Sequence, residues 1–339
     1  MRTDDPVFAD QHCKAINEIG IREFLAVGPR RPPFPRKYRR FIGDTSKDVM
    51  ISFDEYMNTA ETIIRRWNKK CDGRINICVT FPTTRQNEEC LSIDQTQRVR
   101  ELSRRYDVLF MQDGHRRGTV KVAHEKLGIL GSDALLSHAT DLTSEEIDIC
   151  SKTNTRIVHN PSARASIKGR CPVPELLDAG VTVMLGSDAS APDRGYDMFR
   201  HMFQCMHYHR TYYHDDSYIP PGKVLEMTTI DSARGLGLEK ELGSLEPGKK
   251  ADVVLVDVFK PHTYPFNMPV QRLTYFAHGS DVDTVIVNGK ILMEKRIVKS
   301  VDEVKVLEMA QHEAEAALDR TQLTRLLEPP DRFWRHSKY

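Results

Sequence analysis

Residues 181–185, Val-Thr-Val-Met-Leu, form a β-branched and aliphatic run without polar alternation, closed by Gly186-Ser187-Asp188. Such a run fits a parallel strand covered on both faces, because neither side of its pleat is left for water. Gly186 and Ser187 allow a sharp turn at its carboxyl end and leave one carboxylate, Asp188, at the rim. A second run, Ala134-Leu-Leu-Ser137, ends in the same way on His138. In a (β/α)8 barrel that rim carries the chemistry, so two strands ending on metal-competent side chains point to a hydrolytic site. Each motif also has a plainer reading. An aspartate after a strand often caps a helix or makes a turn, and a lone histidine there is often a packed core residue.

The rest of the chain favours the barrel. Strands are expected at Ile21–Val27, Ile75–Phe81, Val108–Met111, Ala134–Ser137, Arg156–His159 and Val181–Leu185. Amphipathic helices alternate with them at Phe53–Trp67, Ile93–Arg105, Thr119–Leu127, Ser144–Lys152 and Val173–Ala179. Three helices open with capping boxes, Ser52/Glu55, Ser92/Gln95 and Thr143/Glu146. Alternation at this pitch means parallel βα units. The last four strands should be neighbours in chain order, since crossovers between parallel strands are right-handed and short.

After Asp188 the character changes. Helices are expected at Met198–Tyr213 and Lys223–Leu238, then strands at Val253–Val258 and Thr284–Lys290 with an Asn288-Gly289 turn. The expected organisation is a partial TIM-like (β/α)8 barrel of about six strands over 1–242, and a small C-terminal β domain over 243–300. A helix at Val301–Leu318 and a basic tail complete 301–339.

Composition excludes several classes. Lys+Arg 49 against Asp+Glu 48 leaves no global charge to recruit nucleic acid or a membrane surface. No stretch approaches the ~20 apolar residues that span a bilayer, and no signal-peptide core opens the chain. Seven cysteines without a CxxC pair fit the reduced thiols of a cytoplasmic protein. Six basic residues fall within Arg30–Arg40, and with few stacking aromatics they read as a solvated lid or rim.

From about residue 10 to about 318 the chain resembles the amidohydrolase superfamily, in its heterocycle deaminase and chlorohydrolase branch. The matching stretches include 127–138 (LGILGSDALLSH), 159–163 (HNPSA), 177–183 (LDAGVTV), Gly186-Ser-Asp188, 243–252 (GSLEPGKKAD) and 285–289 (VIVNG). The resemblance implies that Asp188 binds a divalent ion, zinc or iron, and helps take the proton from its water. It implies that His138 orients or polarises the reacting group of the substrate. Asn160 and Ser162 fall in the loop that shapes the substrate pocket in this branch. A divalent ion lowers the pKa of bound water from ~16 towards ~7. Attack on an amidine-like carbon then needs a carboxylate for the proton and a second group for the developing charge.

Two departures stand out. The family begins with a His-x-His pair at the end of its first strand, and this sequence has none there; residues 10–29 resemble the helix and strand entering the third βα unit. His207-Tyr-His209 lies in an expected helix, where residues two apart point about 200° apart. On the fifth strand, where the family has a histidine followed by an acid, this chain reads Phe110-Met-Gln-Asp-Gly-His115. Gln112 can occupy the ligand position or face substrate, Asp113 can stand for the acid, and His115 can reach back as a metal ligand.

The expectation is therefore a metal-dependent hydrolase of non-peptide C–N bonds, deaminating or dechlorinating a small N-heterocycle. The alternative is a truncated or metal-free relative that binds ligands or partners without turnover. Missing ligands imply weak metal binding and sluggish activity. Unpaired barrel edges imply a homodimer, a rearrangement that covers them, or poor solubility.

Overall fold

The computed structural model describes residues 4–42, 45–82, 90–189, 195–329 and 333–337. Along the chain come α1 (Pro6–Ile19), β1 (Glu23–Val27), β2 (Arg36–Ile42), β3 (Thr45–Ile51), α2 (Phe53–Trp67), the single turn α3 (Lys70–Gly73) and β4 (Ile75–Pro82). Next are α4 (Ile93–Arg105), β5 (Phe110–Asp113), α5 (Thr119–Glu125), β6 (Ala134–Ser137), α6 (Ser144–Lys152) and β7 (Arg156–His159). The barrel part ends with α7 (Arg164–Lys168), α8 (Val173–Asp178), β8 (Val183–Leu185), α9 (Met198–Tyr213), α10 (Pro221–Thr228) and α11 (Ile230–Leu236). Then follow β9 (Val253–Val256), α12 (Pro269–Gln271), β10 (Val282–Val287), β11 (Lys290–Glu294), β12 (Ile297–Val298) and α13 (Glu303–Thr321).

Six strands form one parallel sheet in the order β1-β4-β5-β6-β7-β8, so the four carboxyl-terminal strands are neighbours as expected. Among the described residues this sheet has two free edges, β1 and β8. On β5 to β8, alternate residues face the covering helices. Ile157, Val183 and Leu185 pack with Met202, Cys205, Val224 and Met227 of α9 and α10. The three capping boxes all form. One of them reaches further: Glu146 caps α6 through Thr143 and also accepts from Val120 N (3.1 Å) at the start of α5.

The second sheet is antiparallel, in the order β12-β11-β10-β9. Asn288 and Gly289, both at positive φ (50° and 78°), turn β10 into β11, so the strand expected to run to Lys290 stops at Val287. That sheet is latched to the barrel by Arg22, which donates from Nε to Asp252 Oδ2 (2.7 Å) and from a terminal nitrogen to Oδ1 (3.0 Å). Helix α13 packs no residue into a core.

Two expectations are corrected. The Arg30–Arg40 segment is not simply a solvated lid or rim: Arg36–Ile42 pairs antiparallel with Thr45–Ile51. Its charges are held by acids, Lys37 and Arg39 by Asp48, and Arg40 by Asp5. The helix expected over Lys223–Leu238 breaks at Thr229 (φ −121°, ψ −95°). The break re-aims α11 onto the sheet, where Gly235 O accepts from Arg156 (2.8 Å). A Cβ at Gly235 would lie 1.8 Å from Met184 Sδ, so any larger residue there would force the Met184 side chain to move.

Candidate active site

The chemistry-bearing side chains stand at the carboxyl ends of β5, β6 and β8. Strand parity decides which of them face the barrel mouth. On β5, Phe110 and Gln112 are fully buried on the helix side, so Met111 and Asp113 point the other way. His138 follows β6, and its backbone N donates to Val158 O (3.0 Å) on β7. Asp188 follows β8, held open by Gly186, where a Cβ would fall 2.4 Å from Asn160 Oδ1 and 3.0 Å from Val158 Cγ1. Close approach, rather than a special backbone angle, is what the glycine supplies. His138 and Asp188 both adopt left-handed backbone (φ 71° and 65°), a conformation that costs free energy and persists where surrounding structure enforces it.

These turns bring three side chains together. His138 Nε2 lies 3.1 Å from Asp113 Oδ1 and 3.7 Å from Asp188 Oδ2. The imidazole is 8% exposed, Asp188 22% and Asp113 69%, so a buried ring sits between one semi-sheltered and one solvated carboxylate. His138 and Asp188 thus meet at one end of the barrel. Such a cluster can accept, hold and return protons.

The other candidates are placed differently. Gln112 is buried on the opposite face from Asp113, and its Oε1 accepts from His115 Nε2 (2.6 Å). His115 Nδ1 pairs with Thr119 Oγ1 (2.9 Å). With both ring nitrogens committed, His115 is not available to join Asp188 as a ligand. Burial pushes its pKa down to about 3. Asn160 donates from Nδ2 to Ser137 Oγ (3.0 Å), beneath the mouth and 4% exposed. Ser162 turns to α9: His201 Nε2 donates to Gly195 O (2.8 Å), leaving Nδ1 to accept from Ser162 Oγ (2.9 Å). Neither Asn160 nor Ser162 joins the histidine–carboxylate cluster.

The loops that carry Asp113 and His138 are laced to one another. His115 N donates to Ser137 O (3.1 Å), Thr140 N to His115 O (3.1 Å) and Arg117 N to Thr140 O (2.9 Å). A cavity of ≈ 890 Å³ lies elsewhere, walled by Phe24, Met198, Leu236, Val254 and Val282, and takes in none of the mouth residues.

Residues 105–292 match the amidohydrolase family. The chain belongs to that family. A 5-methylthioadenosine/S-adenosylhomocysteine deaminase of Moorella thermoacetica is 36% identical over 321 residues, covering 89% of this chain and 70% of its own length. A 5′-deoxyadenosine deaminase of Methanosarcina barkeri is 33% identical, covering 92% and 71%. Among solved structures, a zinc-bound adenosine deaminase from Xanthomonas campestris aligns with a TM-score of 0.78 at 23% identity, over 91% of this chain and 69% of that one. A zinc complex of atrazine chlorohydrolase from Arthrobacter aurescens aligns at 0.75 and 20% identity, over 90% and 68%. At those identities the structural likeness carries the fold alone. The chain spans about 70% of the length of the curated relatives it matches.

Zinc in those neighbours makes the donor set here worth testing. A catalytic zinc takes three protein ligands around one point. At the mouth both carboxylates approach the same ring nitrogen, His138 Nε2, at 3.1 and 3.7 Å, and Nδ1 is buried without a partner. Among the described residues, one group of three His, Cys, Asp or Glu has all its donor atoms within 4.8 Å of one another, and it is not this one. The mouth residues do not fit a three-ligand zinc, and no step below passes through an ion.

That other group, His159, Cys205 and His209, escaped the sequence reading. Its signal was present. Cys205 and His209 are four apart on α9 and share a face, while His159 ends β7 with the same parity as the helix-facing Ile157.

Proposed function

We propose that this chain is a hydrolytic deaminase for the exocyclic amino group of an adenosine-type purine nucleoside, working through Asp188, His138 and Asp113. The observation that carries the reading is the seating of His138 between two carboxylates at the carboxyl ends of the strands. The activities of its relatives supply the substrate class. Water adds to the amidine carbon, ammonia leaves, and a carbonyl remains. Asp188 accepts the proton of the attacking water. His138, shared between Asp188 and Asp113, polarises the ring nitrogen and returns a proton to the departing nitrogen. Asn160 supports this arrangement from below, between Ser137 and Gly186. Ser162 and Gln112 support it through their partners on α9 and in the loop after β5.

With the metal donors incomplete, turnover by the isolated chain is expected to be slow, and added zinc or iron to be weakly held at the mouth. The test is ammonia release from adenosine, 5′-methylthioadenosine, S-adenosylhomocysteine and 5′-deoxyadenosine, with Asp188→Ala as the control. Slow release that Asp188→Ala abolishes supports the reading, and release unchanged by that substitution overturns it. The crowding of both carboxylates onto His138 Nε2 also favours a second reading, a relative that binds nucleosides without turnover. Heat of binding for 5′-methylthioadenosine without any ammonia release would select it.

A further inference from the structure

The strongest unexplained feature lies behind the barrel wall, where the end of β7 meets α9. His159, Cys205 and His209 are each 0% exposed there. All four ring nitrogens of His159 and His209 are buried without a hydrogen-bond partner. Each imidazole carries an N–H and a lone pair, and a buried polar atom left unmatched is destabilising. The rings lie 5.2 Å apart at 52°, and one donor atom from each of the three residues falls within 4.8 Å of the other two. Ring packing alone accounts for the apolar faces of the imidazoles, not for their lone pairs.

The geometry points to a buried structural site for a soft divalent transition metal, zinc in the first place, held by His159, Cys205 and His209 between β7 and α9. Two imidazole nitrogens and one sulfur match zinc, and tetrahedral ligands at about 2.0–2.3 Å from the ion stand roughly 3.3–3.8 Å from one another. From a spread of up to 4.8 Å, the group needs to contract by up to about 1.5 Å, a matter of side-chain rotation.

Electrostatics agrees with this. Burial, and then the other histidine, holds His159 well below its ordinary pKa. Burial, and then the Arg170 guanidinium, lowers His209 to about 4. Both rings are therefore neutral near pH 7, with a lone pair to donate. Burial pushes the Cys205 thiol up to about 12, so without an ion it stays protonated. Binding the ion releases that one proton to solvent and leaves a thiolate, two neutral imidazoles and one net positive charge. Arg170 would oppose that charge, but Glu175 neutralises it through two hydrogen bonds. Tyr208 packs on His159 and donates to Ser166 O (3.0 Å), which closes the site on its loop side.

An ion there would tie α9, and the chain leading to it from Asp188, to the strand that precedes Asn160. It would act by holding the mouth in place, since full burial keeps it from substrate. The inference does not depend on the proposed deaminase activity.

The test uses the full chain, stripped with a chelator and titrated with Co²⁺. The expected result is one tightly bound cobalt per chain, with a thiolate-to-cobalt charge-transfer band. Cys205→Ser should abolish the band, and His209→Gln should weaken binding by about a hundredfold or more. Asp188→Asn should leave both band and affinity unchanged. A wild-type chain that gives no thiolate band overturns the inference, whatever the variants do. So does a band that survives Cys205→Ser. If Cys205→Ser does not fold, the wild-type spectrum and the His209→Gln affinity decide the matter.

Discussion

Glu146 offers the sharpest check on how the two loops at the mouth are held. The carboxylate is 1% exposed and has four donors: Val120 N (3.1 Å) and Lys121 N (3.4 Å) on Oε1, and Thr143 N (3.2 Å) and Thr143 Oγ1 (3.3 Å) on Oε2. It therefore caps α5 and α6 at once, and those helices follow the strands that deliver Asp113 and His138. Glu55 makes the same local box with Ser52, but at the surface. Glu55→Ala leaves its donors open to water, so the expected loss is small. Glu146→Ala orphans the buried Val120 N–H, at about 1–3 kcal/mol, and the part-buried Thr143 N–H at less, so about 2–4 kcal/mol is expected. Glu146→Gln should fall between, because its amide presents a donor to another donor. Urea unfolding followed by circular dichroism, with equal slopes for all three variants, gives the differences directly. If Glu146→Ala and Glu55→Ala differ by less than about 1 kcal/mol, the shared-cap argument is wrong.

Two further perturbations test the mouth from other sides. Gly186→Ala places a methyl group 2.4 Å from Asn160 Oδ1; a loss of about 1–3 kcal/mol is expected from overpacking, together with reduced activity, and an unchanged melting temperature would refute the close-approach account. His115 bears on pH. Its pKa falls from 6.5 to about 3 on folding, so the unfolded chain binds the extra proton between those values. Stability should be fully present above about pH 6.5 and decline as pH falls towards 3, by up to about 5 kcal/mol. Urea midpoints from pH 7 to pH 4 measure this, and His115→Asn should flatten the slope.

Much of the barrel was legible because a parallel strand buried on both faces leaves a mostly apolar run without regular polar alternation, as 181–185 does with Thr182 its one polar residue. The βα order then fixes neighbours, and the capping boxes mark where three helices start. The β2–β3 hairpin was hidden because its strands are charged rather than apolar, and one of those charges is matched far along the chain: Arg40 reaches Asp5, 35 residues away. The break at Thr229 was hidden for a different reason. Helical periodicity continues across it, and the need for α11 to lie against Met184 comes from tertiary packing. Site residues divide along the same line. Asp188 and His138 are set by position at strand ends. Gln112 and Asp113 are adjacent in sequence and opposite in space, and only the burial of Phe110 says which of the two faces the helices.

Strand parity also explains why one barrel rim carries two chemically different clusters. β6 puts its histidine one residue past the strand and turns it inward with a left-handed backbone, whereas β7 ends on a histidine whose parity faces outward to α9. The inward cluster is oxygen-rich and partly solvated, suited to proton transfer. The outward one is nitrogen- and sulfur-rich and dry, suited to holding a soft ion. Soft donors in a sealed site bind zinc more tightly than two carboxylates that share a histidine with solvent nearby. One zinc per purified chain would therefore not by itself mean that the mouth is loaded. Its loss on Cys205→Ser, with retention on Asp188→Asn, would assign it to the wall between β7 and α9. The opposite pattern would place it among His138, Asp113 and Asp188, and would refute the reading of the mouth as a metal-poor site.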